Sequence, residues 1–176
     1  SASASEILSA ALKEAGGYDV VGEASFGKGT VQQTMKLGDG SEIKLTLFKW
    51  LTSGGNFINE VGVEPTIEVK QPDYFYLPPL NVKEELKQDM LNEQIRNAQQ
   101  MLKGLGFEPG RTDGYFSEQT AQAVRAFQSQ NNINPTGTIN EETAGKIHER
   151  IVQSIRERSN DRQLQTALEL AVKQSR

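Results

Sequence analysis

Apolar and polar residues recur along this chain with two different periods, and the change from one to the other divides it. Ile7, Leu8, Ala11 and Leu12 fall at helical spacing within residues 4–15, a stripe expected to face a core, and Gly16-Gly17 stops the helix. Tyr18 to Gly22 reads as a short buried strand. Two β-rich runs, 30–37 and 43–50, are joined by the glycine-containing hairpin signal Gly38-Asp39-Gly40-Ser41. A second turn, Ser53-Gly54-Gly55-Asn56, precedes Phe57-Ile58, and Gly62-Val63-Glu64-Pro65 leads into a strand at 66–69. From Glu84 the period is helical throughout: 84–104, 118–130, 141–158 and 161–174, separated by glycine, asparagine and proline turns. Between the two regimes Pro72, Pro78 and Pro79 stand beside Tyr74, Phe75 and Tyr76, the composition of a linker that packs against something. The expected architecture is mixed α/β at the front, then an all-α module and a C-terminal helix.

The helical part holds a weak internal repeat. Gly114-Tyr115-Phe116-Ser117-Glu118-Gln119-Thr120-Ala121 matches Gly137-Thr138-Ile139-Asn140-Glu141-Glu142-Thr143-Ala144 at an offset of 23 residues. Ser117 and Asn140 are placed to cap helices, with glutamates in the first turn facing the positive end of the helix dipole. Leu102, Leu105, Val124, Phe127 and Ile147 supply the expected core.

Bulk properties narrow the chemistry. The net charge of −4 leaves no basic face for nucleic acid. Cysteine is absent and His148 is the only histidine, so neither disulfides nor a zinc or iron site is expected, and no cofactor is called for. No apolar run approaches the ~18 residues of a membrane span. The sequence opens without Met and inside its most suggestive motif, so it reads as the C-terminal part of a longer protein.

That motif is Ser1-Ala2-Ser3-Ala4-Ser5-Glu6, followed about 25 residues later by Phe26-Gly27-Lys28-Gly29-Thr30-Val31-Gln32. A serine at a helix start lies among free backbone N–H groups, with that of Ala4 suited to stabilise an oxyanion. A lysine buried between glycines would keep part of its amine neutral, able to take the serine proton, and Gln32 could hold that amine through its side-chain amide. Taken singly, the serines are equally helix caps and the Phe-Gly-Lys-Gly string a turn with a solvated lysine. Nor do the glycines have the spacing of a phosphate-binding loop.

Together, in this order, the two strings resemble the carboxy-terminal processing, or tail-specific, proteases. Gly22 to Gln32 fits that family's G-x-x-x-F-G-K-G-x-V-Q pattern at each defined position. The resemblance implies Ser3 as nucleophile, Lys28 as base, Gln32 as its orienting partner and the Ala4 N–H as an oxyanion donor. Ser1 and Ser5 are then structural, and Glu6 belongs to the helix start. Trp50-Leu51-Thr52-Ser53-Gly54-Gly55 and Gly62-Val63-Glu64-Pro65 carry the likeness to residue 70, with Ser53 where the family usually has proline. The family's PDZ domain and a second oxyanion donor lie upstream of this stretch. The resemblance implies a serine endopeptidase acting on C-terminal segments of proteins outside the cytoplasmic membrane.

Leu102-Lys103-Gly104-Leu105-Gly106-Phe107 and the run from Asp113 to Gln128 resemble the three-helix peptidoglycan-binding domain, with Ser117 where glycine is usual. This resemblance implies cell wall as a partner. Loop-side residues Arg111, Asp113, Tyr115, Gln119 and Asn131 are the candidate contacts. The expected organisation is a partial protease core at 1–70, a linker at 71–91, the peptidoglycan-binding-like domain at 92–151 and a helical tail at 152–176. Leu164, Leu168, Leu170 and Ala171 give the tail an apolar stripe, expected to dock on the protease segment or on a second subunit. The alternative is a non-catalytic fragment that binds peptidoglycan or forms a homodimer through its helical region.

Overall fold

A computed structural model describes residues 2–174; Ser1, the first serine of the motif, lies outside them. The chain forms two compact units, one holding residues up to Lys70 with those from Thr166 onward, the other Gln71–Gln165.

In the first unit, helix α1 (Ala2–Glu14) is followed by strands β1 (Val21–Gly22), β2 (Thr30–Lys36), β3 (Glu42–Lys49) and β4 (Ile67–Glu68). The β1 and β4 strands pair in parallel, Val21 opposite Ile67. The β2–β3 pair is the expected antiparallel hairpin, with an irregularity between Val31 and Gln32. Asp39 shapes its turn by accepting the Ser41 N–H and hydroxyl at 2.9 and 2.6 Å. Alternation puts Met35, Leu37, Ile43, Leu45 and Leu47 on one side of this ribbon, and all five stay exposed. The buried cluster of the unit is small: Ala10, Ile58 and Val63, with Trp50 packed against it.

The expected apolar stripe of α1 is not its buried face. Ile7, Leu8 and Leu12 are all exposed, whereas Glu6 and Ala10 are buried. The face turned inward runs Ser3–Glu6–Ala10–Lys13, three to four residues apart. Polar bonds hold it there: the Lys13 ammonium donates to the Glu64 carbonyl at 2.8 Å. At the C-terminal end the Glu14 carboxylate accepts from the Ser53 hydroxyl, the Gly54 N–H and the Asn56 amide at 2.9, 2.6 and 3.1 Å.

The second unit is built on α2 (Glu93–Gly104), α3 (Glu118–Gln130) and α4 (Glu141–Arg156); α5 (Arg162–Gln174) follows. Asn92, Ser117 and Asn140 each accept the N–H of the residue three positions on, so all three helices begin on a side-chain cap. Leu102, Val124, Phe127 and Ile147 are fully buried, as expected, and Leu105 packs against them. One expectation changes. The helix expected from residue 84 starts only at Glu93, because Leu86 pairs with Ile139 in an isolated bridge and Asp89 takes a left-handed backbone, φ 69°. Residues 71–91 pack against the helical core, as their prolines and aromatics led one to expect: Leu86 is buried in it, with Tyr74, Leu77, Leu80, Val82 and Met90 packed on it. Among the described residues no helix is long and apolar enough to cross a membrane.

Buried amides underlie the sequence repeat. Gln99 donates to the Tyr115 carbonyl and the Thr120 hydroxyl at 2.8 and 3.0 Å and accepts the Gly114 N–H at 3.0 Å. Gln128 does the same with Thr138, Thr143 and Gly137, at 2.9, 3.1 and 2.9 Å. Each amide ties a glycine turn to the start of the following helix.

Candidate functional site

Ser3 is half-buried in the first turn of α1, where backbone N–H groups have no intrahelical partner, and the N–H of Ala4 is among them. Lys28 lies in the loop between β1 and β2, its side chain exposed, between two buried glycines. Gln32 is on β2, and its amide donates to the Thr46 hydroxyl across the hairpin at 3.3 Å. Among the described residues no hydrogen bond joins the Lys28 amine to Ser3 or to Gln32.

What joins helix and lysine loop is Glu6, which sequence reasoning assigned to the helix start alone. The residue is 2% exposed. It accepts the Ser25 hydroxyl at 2.6 Å, the Gly27 N–H at 2.5 Å and the backbone N–H of Lys28 itself at 3.0 Å. Burial alone would raise the pKa of this carboxyl, but the bonds from Ser25, Gly27 and Lys28 outweigh it and hold the group below its ordinary value. The sequence signal was present: Glu6 follows Ser3 by three residues, which on a helix is the same face one turn on.

The 58–63 turn closes the loop from the other side. Val63 donates its N–H to the Ser25 hydroxyl oxygen at 2.8 Å, and Glu60 donates to the Gly27 carbonyl at 2.8 Å from a left-handed backbone, φ 63°. A Cβ on Gly27 would come within 2.8 Å of the backbone of Ile58, Glu60 and Gly62, and one on Gly62 within 2.1 Å of the Ser25 carbonyl oxygen. Both glycines also have positive φ, so the first glycine of the Phe26-Gly27-Lys28-Gly29 string is a steric requirement of this contact, as is Gly62 opposite it.

In the helical unit, Arg111, Asp113 and Tyr115 form one exposed cluster. The Arg111 guanidinium makes a forked ion pair with Asp113 and lies 4.8 Å from the centre of the Tyr115 ring. The Tyr115 hydroxyl donates a hydrogen bond to the Asp89 carboxylate at 2.6 Å. The Arg111 side chain, then the Tyr115 N–H, hold the Asp113 carboxyl down at about 2, and Asp89 pushes the Tyr115 phenol up. Gln119 lies over Gly110, beside this cluster. Asn131 does not join it: the residue closes the far end of α3, its amide donating to the Phe127 carbonyl at 2.8 Å, about 18 Å along the helix from Gln119.

Comparison with known proteins follows the division of the chain. Residues 1–69 match the model of Peptidase family S41, and residues 92–147 that of a putative peptidoglycan binding domain. The chain is 61% identical over 168 residues to the carboxy-terminal processing protease CtpB of Bacillus subtilis (strain 168), an alignment covering 96% of this chain and 35% of that protein. It is 35% identical over 173 residues to CtpA of the same organism, covering 98% of this chain and 36% of the relative. A solved structure of a photosystem II D1 C-terminal processing protease matches at 39% identity over 43% of this chain and 19% of its own, with a TM-score of 0.38. The chain thus spans about a third of the length of the curated relatives it matches.

Proposed function

The chain carries a Peptidase family S41 segment followed by a peptidoglycan-binding domain, and from that premise we propose that it is the C-terminal part of a serine endopeptidase. Ser3 is the nucleophile and Lys28 the general base. The observation that carries this reading is the clasp between α1 and the 25–28 loop. Of the loop's groups, the Glu6 carboxylate takes the N–H of the very lysine the motif names, one turn from the motif's serine.

In the proposed reaction the Lys28 amine, as general base, takes the Ser3 hydroxyl proton as Oγ attacks a peptide carbonyl of the substrate. The Ala4 N–H, at the positive end of α1, receives the developing oxyanion, with a second donor supplied from outside these residues. The Lys28 ammonium then protonates the leaving amine. Water, deprotonated by Lys28, attacks the acyl-enzyme and releases Ser3. The Gln32 amide steadies the lysine, exchanging its bond to Thr46 for one to the amine when the site is assembled. The substrates are C-terminal segments of proteins outside the cytoplasmic membrane. Relatives of about three times this length accord with a site completed by further chain, which would also cover the exposed apolar face of the β2–β3 ribbon.

The helical unit holds the enzyme at peptidoglycan through the Arg111–Asp113–Tyr115 cluster and Gln119. The complete protein and its Ser3→Ala variant separate the two roles. Proteolysis should vanish in the variant while sedimentation with purified cell wall persists. A variant that still cleaves refutes Ser3 as nucleophile, and loss of sedimentation on deleting 71–165 is the corresponding test of wall binding.

A further inference from the structure

We propose that Glu6 is a positioning residue of the peptidase site. Its ionised carboxylate sets where the Lys28 backbone lies relative to Ser3, and so governs catalysis without touching substrate. The inference rests on the Ser3–Lys28 reading and gives Glu6, placed by the sequence at the helix start alone, a role of its own in that site.

Glu6 and Ser3 share one face of one helix, a turn apart, so whatever Glu6 holds is held in fixed relation to the serine. It holds three donors from four consecutive loop residues, and one of them belongs to the lysine. The hold is rigid from both sides. Ser25, while donating to Glu6, accepts from Val63, and Gly27 is enclosed by the backbone of Ile58, Glu60 and Gly62. A carboxylate buried this deeply carries a desolvation cost that an apolar side chain would not. It also has a property no apolar residue offers: two oxygens that accept from several backbone N–H groups at once, fixing a loop that has no other regular structure. The exposed apolar residues Ile7 and Leu8 stand beside Glu6 in the sequence, so the inward position is held by the polar residue in preference to available hydrophobes. A lysine displaced by ~1 Å from its serine is enough to lower turnover about 100-fold.

Glu6→Gln is the test, made in the complete protease. It keeps size and shape but replaces one accepting oxygen with an NH₂ that faces the Gly27 or Lys28 N–H. The expected result is a kcat about 100-fold down with KM changed less than about threefold, in protein that unfolds at a lower temperature than the parent but is fully folded at the assay temperature. Ser25→Ala removes one donor and leaves the two backbone bonds, so its kcat falls less, by about fivefold, again at unchanged KM. Wild-type kcat in folded Glu6→Gln overturns the proposal. So does a loss that merely tracks the fraction of unfolded protein. Should Glu6→Gln fail to fold, Ser25→Ala decides alone: a kcat deficit at constant KM supports positioning, and full turnover refutes it. Ser3→Ala and Lys28→Ala run in parallel. Residual wild-type activity in either removes the Ser–Lys reading itself, whereas two inactive controls beside an active Glu6→Gln remove only the role of Glu6.

Discussion

Gln99 and Gln128 make the same three hydrogen bonds in the two halves of the helical unit, each joining a threonine hydroxyl, a backbone carbonyl and a glycine N–H. Both are fully buried. Replacing either with leucine strands its partners away from water, which costs about 3 kcal/mol. Urea unfolding followed by helical circular dichroism should show this loss for Gln99→Leu and Gln128→Leu alike. Exposed Gln122, on α3, serves as the control and should change stability little.

Lys28→Arg keeps the charge and most of the length but provides no neutral nitrogen to take a proton. In the complete protease it should lower kcat by 10²–10⁴-fold, roughly the worth of a positioned general base. Steady-state cleavage of a peptide substrate would measure it.

The glycines of the clasp have no room for a side chain. Gly62→Ala places a Cβ against the Ser25 carbonyl at a backbone angle of φ 83°, and Gly27→Ala does the same at φ 82° against the 58–62 turn. Each should destabilise the first unit by more than ~1 kcal/mol. Trp50, the single tryptophan, packs on that unit's buried cluster, so its fluorescence reports the change selectively. Alanine at Gly38, which has open space around it, is the matched comparison.

Acid should loosen the same unit. The Gly54 N–H and then the Thr52, Asn56 and Ser53 side chains hold the Glu14 carboxyl at about 2, below its ordinary 4.5, and Glu6 is lowered as well. A carboxyl depressed on folding lends stability that is complete above its unfolded value and is lost as pH falls through its folded one. Trp50 fluorescence should therefore report unfolding that grows easier from about pH 4.5 down to about 2. Glu14→Gln should flatten that dependence.

Arg111→Ala removes both the fork on Asp113 and the cation from the Tyr115 ring. It should weaken sedimentation with purified peptidoglycan about tenfold. Tyr115→Ala should do likewise, since it also frees Asp89. Asn131→Ala should leave wall binding unchanged, because that side chain closes α3 and stands apart from the cluster.

Local pattern alone was enough for much of this molecule. The α3 and α4 helices start where Ser117 and Asn140 announce them, since a cap and its helix are set by neighbours in the chain. The hairpin turn at Gly38–Ser41 and the four fully buried residues Leu102, Val124, Phe127 and Ile147 were legible for the same reason: glycine freedom and hydrophobic period are properties of short windows. The serine and lysine strings were legible through their order and spacing.

Tertiary structure decided the rest, because it depends on pairings between distant segments that no short window contains. Helical period identified Ile7, Leu8 and Leu12 as a stripe. It could not say that the opposite face, with Glu6 and Ala10, would be the one covered by the 25–28 and 58–63 loops. The extended start before α2 depends on Leu86 meeting Ile139 across more than fifty residues, a contact whose burial outweighs the helical preference of the 84–92 segment. The sequence by itself determined where the capped helices and the hairpin form and which residues are candidates for chemistry. Only the folded chain decided that a buried carboxylate on one element takes the backbone of the lysine on another, because desolvation and hydrogen bonding act between atoms brought close in space, whatever their distance along the chain.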